Sequence, residues 1–356
     1  MKVIAFYLPQ YHRTPENDRW WGRGFTEWTN MKKAVPLFEG HYQPRVPLND
    51  NYYCLTEVGT LAWQATLAKQ YGIYGFCMYH YWFSGQKLLD RPLDLWLKNP
   101  QIQLPFCLCW ANETWTKSWN VNSTDDILIL QEYGDQKDWK DHFDYLYPFF
   151  VDSRYIKVQG KPLFVLYRPE LLKNRRDMIL FWDNLAKERG FPGIAFAAQQ
   201  RFFNVAKEAD GDLFTYQIEY QPALVREKIE ALATVDSGVR CIDYDGAWQA
   251  VLNFKPLNHK SVPGAFVDWD NTPRKGKQGV VFKGATPIKF KRYFAQQLWR
   301  TESVYKQDMI FLFAWNEWSE GGYLEPDDKN QYGYLAAIRD TISNFQLLKK
   351  GETNGV

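Results

Sequence analysis

Residues 309–322 read Met309-Ile310-Phe311-Leu312-Phe313-Ala314-Trp315-Asn316-Glu317-Trp318-Ser319-Glu320-Gly321-Gly322. An apolar run of strand type gives way to two acids, Glu317 and Glu320, set among tryptophans and closed by a glycine pair. Carboxylates beside apolar surface are costly unless something pairs or uses them. Two close carboxyls push their pKa values apart, so that one can serve as acid while the other serves as base. On a continuing strand, residues three apart point to opposite faces. In a helical turn they become neighbours, with Cβ atoms ~5–6 Å apart. The glycines place a turn directly after, so the strand ends by Glu317 or Trp318 and both carboxyls can face one sugar. Such a pair is what glycosidic chemistry requires, close carboxyls favouring retention and wider ones inversion.

Working outward, the same kind of short apolar run recurs. Strand-like runs cover Val3 to Leu8, Gly75 to Tyr81, Pro105 to Trp110, Pro162 to Tyr167, Ile194 to Ala198, Leu213 to Ile218, Ala265 to Trp269 and Met309 to Ala314. Helical patterns lie at about Leu55 to Tyr71, Leu88 to Leu97, Trp139 to Phe150, Met178 to Arg189, Val205 to Ala209, Pro222 to Ala231, Tyr244 to Leu252, Pro287 to Glu302 and Tyr332 to Asn344. Strands alternating with helices imply a parallel sheet. Eight such units in 356 residues suit a single (β/α)8 TIM barrel, here with a long first βα loop from Gln10 to Tyr53. A doubly wound sheet is the alternative, but the turn after Leu8 lacks the glycines that would cradle a phosphate. The barrel is expected to occupy residues 1–350 as one catalytic domain, with 351–356 as a frayed tail.

In a barrel the chemistry sits at the C-terminal strand ends. Taken in order, those ends offer Gln10, Tyr11 and His12; Tyr79, His80, Tyr81 and Trp82; Trp110, Asn112 and Glu113; Tyr167 and Arg168; Gln199 and Gln200; Gln217 and Glu219; Asp268, Trp269 and Asp270; and Asn316, Glu317 and Trp318. Every strand turns polar or aromatic at the same end, a one-sided pattern that core packing does not require. A lone Asn or Glu at a strand end is often a helix N-cap, and Glu320 could equally cap or form a salt bridge; it is the coincidence of eight ends that points to a site. The expected catalytic pair is Glu317 and Glu320. Expected sugar contacts are Tyr11, His12, Trp28, Tyr79, His80, Trp82, Trp110, Asn112, Glu113, Tyr167, Gln199, Glu219, Trp269, Asp270, Asn316, Trp318 and Tyr323.

Composition narrows the classes further. A net charge of +2 gives no hint of nucleic acid or an anionic membrane as partner. Aromatic residues reach 17%, more than core packing alone accounts for, and many Trp and Tyr stand next to polar residues, as in a ring-lined sugar cleft. Cys54, Cys77, Cys107, Cys109 and Cys241 are odd in number and irregular in spacing, a poor disulfide framework, and read as free thiols in a reducing compartment. Met1 leads straight into a strand-like run with no signal-peptide pattern, and no apolar stretch is long enough to span a bilayer, so a cytoplasmic location is expected. The sequons at Asn112 and Asn122 carry little weight without a secretion signal. The five histidines form no spaced metal motif, no Gly-x-Ser-x-Gly elbow is present, and no metal or cofactor is expected.

The runs Phe6-Tyr7-Leu8-Pro9-Gln10-Tyr11-His12, Gly24-Phe25-Thr26-Glu27-Trp28-Thr29-Asn30, Gly40-His41-Tyr42-Gln43-Pro44-Arg45, Gly75 to Phe83, Phe106 to Glu113 and Ala314 to Gly321 resemble the WbsX-like family, which is grouped with glycoside hydrolase family 99-like domains. The resemblance covers nearly the whole chain. It implies a (β/α)8 barrel and a bacterial setting in lipopolysaccharide, O-antigen or capsule gene clusters. Members are often labelled glycosyltransferases, while the nearest fold relatives are endo-α-mannosidases, in which an Asn-Glu-Trp-His-Glu-Gly run carries both catalytic acids. Asn316-Glu317-Trp318-Ser319-Glu320-Gly321 matches that run except for Ser319 in place of His. The resemblance thus implies Glu317 as a base on the sugar 2-hydroxyl, through an anhydrosugar intermediate, and Glu320 as acid and then base.

Three functions compete on these grounds. The first is a retaining glycosidase or transglycosidase acting on α-linked bonds of an oligosaccharide or polysaccharide. The second is a sugar-nucleotide-dependent transferase of O-antigen assembly, with Asp243-Tyr244-Asp245 or Asp268-Trp269-Asp270 as a metal-holding triplet, though no Rossmann-like nucleotide site is visible. The third is a non-catalytic glycan-binding barrel.

Overall fold

The structure is a computed structural model that describes residues 1–117, 126–201 and 212–353. Its centre is a parallel barrel. We number its strands β1 (Lys2–Tyr7), β2 (Gly75–Phe83), β3 (Phe106–Trp110), β4 (Lys161–Leu166), β5 (Ala195–Gln200), β6 (Tyr216–Glu219), β7 and β8 (Met309–Phe313). Strand β7 comes in two short pieces, Ser261–Val262 and Gly264–Phe266, divided at Pro263. The first piece pairs with β6 and the second with β8, and β8 pairs in turn with β1, so the ring closes across Pro263. Proline has no N–H for the ladder, which accounts for the break. Gly264 follows it because a Cβ there would stand 1.8 Å from the carbonyl oxygen of Glu219. The closed sheet excludes the doubly wound alternative.

The helical layer consists of α1 (Pro15–Trp21), α2 (Glu27–Lys33), α3 (Val58–Gln70), α4 (Arg91–Lys98), α5 (Gln136–Val151), α6 (Arg175–Glu188), α7 (Ala223–Ile229), α8 (Tyr244–Leu252), α9 (Thr272–Lys275), α10 (Pro287–Ser303) and α11 (Gly333–Thr353). Helix α10 shows why these segments form and dock. Thr286 accepts the N–H of Lys289 as N-cap, and Pro287 opens the first turn. Phe290, Tyr293, Phe294, Gln297, Leu298 and Thr301 are buried, a spacing of three and four that makes one face. Each fully buried large apolar side chain on such a face contributes about 1.5–3 kcal/mol.

Most strand limits differ from the sequence reading by one or two residues, and two strands differ by more. Strand β6 begins at Tyr216 rather than Leu213, and the ladder of β7 ends at Phe266, so Val267 to Trp269 lie beyond it. The helix expected at Val205 to Ala209 and the sequon at Asn122 fall outside the described residues. Helix α11 continues through the first three residues of the segment expected to fray. The segment Gln10 to Tyr53 is not a plain loop: it carries α1 and α2 and buries Tyr11, Glu27, Trp28, His41, Gln43 and Arg45 against the barrel mouth. All five cysteines are free thiols. Among the described residues no helix is long and apolar enough to cross a membrane.

Candidate active site

The turn after β8 builds the centre. Asn316–Glu317 pairs as a short antiparallel ladder with Gly322–Tyr323, and Trp318–Glu320 forms one 3-10 turn between them. Gly321 closes it at φ 70°, and a Cβ there would meet the Asp270 amide nitrogen at 2.8 Å. Only glycine fits both demands. Asn316 locks this turn to β1: its Oδ1 accepts the Leu8 N–H at 2.8 Å and its Nδ2 donates to the Leu8 carbonyl at 3.0 Å. The Tyr11 hydroxyl donates to the Asn316 carbonyl at 2.6 Å. The Ser319 hydroxyl, between the two acids, donates to the Glu27 carbonyl at 3.4 Å. It therefore ties α2 to the turn.

Glu317 and Glu320 converge on one guanidinium, that of Arg274 on α9. Its Nη1 lies 2.6 Å from Glu320, and its Nη2 lies 3.7 Å from Glu317 and 3.1 Å from Glu27 of α2. Three loops, after β1, β7 and β8, thus meet at one cation. Burial works against the charge of Arg274, but Glu27, then Glu320 and Glu317, outweigh it and hold the guanidinium charged. Glu317 is 5% exposed, and its Oε2 accepts no hydrogen bond. Burial first, and then the neighbouring Glu320, push its carboxyl well above the ordinary carboxylate range. Glu320 keeps a side-chain exposure of 22% and the shorter contact with Arg274.

These acids line a cleft with Leu8, Tyr79, Tyr81, Ala111, Glu113, Trp115, Tyr167 and Tyr220. The Tyr79 and Tyr220 hydroxyls are 3.0 Å apart. On the β3–β5 side, Glu113 accepts from Arg168 at 3.0 Å and lies 3.8 Å from Arg201, whose guanidinium also donates to the Tyr167 hydroxyl. The cleft combines paired carboxyls, guanidinium groups and tyrosine faces. This set can stack a sugar, hydrogen-bond its hydroxyls and move a proton at a glycosidic oxygen.

Of the residues expected to contact sugar, the structure brings Tyr79, Glu113 and Tyr167 to this cleft beside Glu317 and Glu320. Others stand behind it. Strand alternation sends Tyr79 and Tyr81 inward and His80 and Trp82 outward: the His80 Nε2 lies 2.7 Å from the His142 Nε2 of α5, and Trp82 stacks on His142 at 4.5 Å. Trp110 meets the same imidazole at 4.8 Å. Glu219 also faces the helical layer, where the Tyr305 hydroxyl lies 2.9 Å from both its oxygens and burial pushes its pKa up to about 8. Asn112 clamps β3 to β4 through the Arg168 amide and carbonyl, both at 2.8 Å. Gln199 lies inside the barrel, with the Cys109 thiol 3.5 Å away. His12 is buried, and that burial pushes its pKa down to about 4.

Trp28 packs on Tyr11 and Trp318, and Trp318 donates to Glu325 at 2.7 Å while stacking on Tyr323 at 3.8 Å. Tyr323 in turn donates to Asp327 at 2.6 Å. Asp270 receives Gln43 at 2.7 Å and lies 2.9 Å from His41, and Asp268 accepts from Arg45 at 2.9 Å, so this Asp triplet anchors the first loop. Trp269, between them, packs against Phe313 at 5.6 Å and beneath Arg226. The other triplet caps α8 through Asp243 and pairs Asp245 with Lys289. The sequence reading did not single out Arg274 or Arg201, and it placed Tyr81 at a strand end without counting it among the sugar contacts. Glu27 appeared only inside a quoted run; a lone arginine on a loop gives no signal of its own.

A closed (β/α)8 barrel with an acid pair at the C-terminal mouth is the class this fold and cleft define. The chain belongs to the family described as "Glycosyltransferase WbsX", which matches residues 3–338. It is 35% identical over 354 residues to the "Uncharacterized protein WxcX" of Xanthomonas campestris pv. campestris (strain B100). That match covers 96% of this chain and 49% of the relative, so the chain spans about half the length of the curated relatives it matches. Among solved structures it is similar to a GH99 endo-alpha-mannosidase from Bacteroides thetaiotaomicron, with TM-score 0.59, 12% identity and 98% of each chain covered. It is also similar to a "Glycoside hydrolase-like protein", with TM-score 0.60, 12% identity and coverage of 96% and 93%. At such identity these two likenesses concern the fold.

Proposed function

We propose that this chain cleaves or transfers glycosidic bonds of an α-linked surface or environmental polysaccharide, with Glu317 and Glu320 as the proton-handling pair. The observation that carries this reading is the convergence of both carboxyls on Arg274 within a tyrosine-walled cleft at the barrel mouth. Two-carboxyl catalysis needs one protonated and one ionised member. An asymmetry of this kind supports the reading: burial and the neighbouring Glu320 favour the neutral form of Glu317, whereas Glu320 is ion-paired with Arg274. For Glu317 to act as base, its proton must first pass to Glu320. Arg274 would then shift its hold from the Glu320 carboxylate to that of Glu317, 3.7 Å away. Glu320, now carrying the proton, would deliver it to the leaving oxygen, while Glu317 takes one from the attacking hydroxyl.

The test is turnover of fragments of the organism's surface glycan by Glu317→Gln and Glu320→Gln. Each variant should lose at least a hundredfold in kcat, in line with the weight of a positioned acid or base. Full activity in Glu320→Gln would show that the acid is misassigned. A second reading, transfer from a nucleotide sugar, is favoured by the name of the family. Calorimetry with nucleotide sugars separates the two, since tight nucleotide-dependent binding supports transfer and the absence of any nucleotide effect supports hydrolysis or transglycosylation.

A further inference from the structure

Beside the cleft, just past β5 and on α7, stand two guanidinium groups whose charge the acids do not fully use. Arg201, just past β5, lies with its Cζ 4.7 Å from the Tyr167 ring centre and 5.9 Å from that of Tyr220, both cleft-lining rings. Its buried Nε has no hydrogen-bond partner. Its nearest carboxylate, Glu113, is 3.8 Å away and already engaged at 3.0 Å by Arg168. Arg226 on α7 rests over the Trp269 ring at 5.3 Å and, among the described residues, makes no hydrogen bond or ion pair through its side chain. The buried Nε1 of Trp269 beneath it is unpartnered as well. Both arginines feel Glu320 electrostatically; Arg201 touches the cleft through Tyr167 and Glu113, and among the described residues neither arginine pairs with Glu320 itself. Partly buried guanidinium groups are stable when an anion completes them.

We propose that the sugar held against Glu317 and Glu320 carries a carboxylate, and that Arg201 and Arg226 receive it. The proposal rests on the carbohydrate reading above and specifies its substrate class as an acidic glycan. A single carboxylate matches the site better than a diphosphate does. Glu113, Glu317 and Glu320 already crowd the cleft, and a second negative charge would repel them at short range. A guanidinium also accepts a carboxylate in a two-point fork.

The test compares binding to the full chain of four sugar acids with that of their methyl esters, which keep the shape and lose the charge. The probes are glucuronate, galacturonate, mannuronate and N-acetylneuraminate, read by calorimetry or saturation-transfer NMR. At least one acid should bind about tenfold or more tighter than its ester, the usual worth of a charged hydrogen bond. Arg226→Gln should bring acid and ester close to parity while leaving the affinity for the ester unchanged. Arg201→Lys, which keeps a charge for Glu113, should narrow the preference as well. Parity of every acid with its ester in the wild type would overturn the proposal. So would an acid preference that survives both substitutions, or inorganic pyrophosphate binding more tightly than any sugar acid. Turnover by Glu317→Gln and Glu320→Gln judges the catalytic reading separately, because acid preference is measured without turnover.

Discussion

Glu219→Gln should make this protein more stable at neutral pH. Glu219 sits between the barrel and the helical layer, 2% exposed, with a carboxyl raised from the ordinary 4.5 to about 8. Burial is the main cause; Tyr305, Arg300 and Lys228 only moderate it. The sign follows from proton linkage. The folded state keeps a proton that the unfolded chain releases, so stability falls as pH rises from about 4.5 towards 8. At about 1.4 kcal/mol per unit, holding that proton at pH 7 costs about 3 kcal/mol, and almost nothing at pH 4. Glutamine cannot ionise; its carbonyl keeps the acceptor that the protonated carboxyl offers Tyr305, but its NH2 takes the place of the carboxyl O–H beside that hydroxyl, an exchange that costs about 1 kcal/mol. The variant should therefore be about 1 kcal/mol less stable at pH 4 and about 2 kcal/mol more stable at pH 7. Thermal unfolding of a chain this size converts that span of about 3 kcal/mol to roughly 4 °C. The assay is paired urea and thermal melts of wild type and variant across pH 4 to 8. An equal loss of stability at both ends would show that Glu219 is ionised in the folded protein, and the burial argument would fail.

Two further outcomes follow from the mouth of the barrel. Arg274→Met leaves Glu27 and Glu320 without their shared counter-charge and should cost about 3–5 kcal/mol, with urea melts as the measure; an unchanged midpoint would mean that these two acids are neutral or find other cations. Burial raises the carboxyl of Glu325 to about 7, against hydrogen bonds from Trp318, Gln64 and Tyr53. The indole N–H resonance of Trp318 should therefore shift with a midpoint near pH 7 in the wild type and stay flat in Glu325→Gln, and a flat wild-type titration would refute the assignment.

The sequence exposed the barrel because its strands are short apolar runs separated by amphipathic helices, and burial on both faces makes such runs stand out. It misplaced β7 for a physical reason. The run Ala265 to Trp269 is apolar enough to suggest a strand, yet the paired residues are Ser261–Val262 and Gly264–Phe266, and Pro263 hides them by interrupting the pattern. At the site, the two acids stood out because charge beside tryptophan is unusual. Which neighbours share their cleft was legible in part. Tyr79 and Tyr81 lie on one parity of β2 and His80 and Trp82 on the other, so the inward pair could have been separated from the outward pair by counting from Cys77, which faces the barrel interior. Glu219 at the end of β6 and Tyr220 just past it obey the same rule. Arg274 and Arg226 lie on loops and short helices where no periodicity constrains direction, and only the folded arrangement reveals them.

The long first loop gains a purpose from this geometry. Asp270 and Asp268 hold His41, Gln43 and Arg45, and Arg45 also donates to the Gly321 carbonyl at 3.1 Å. Ser319 and Arg274 tie the same loop, through Glu27, to the turn that carries the acid pair. The loops after β1, β7 and β8 are thus one interlocked body, and Glu317 and Glu320 are fixed relative to each other by contacts made far along the chain. A displacement of about 1 Å in a catalytic constellation can cost a hundredfold in rate, so positioning of this kind bears directly on the proposed function. Ser319, between the two acids, is buried in that interlock and faces α2. A substitution at Ser319 therefore bears first on how the loop is held, and on the cleft only through the placement of the two acids it separates.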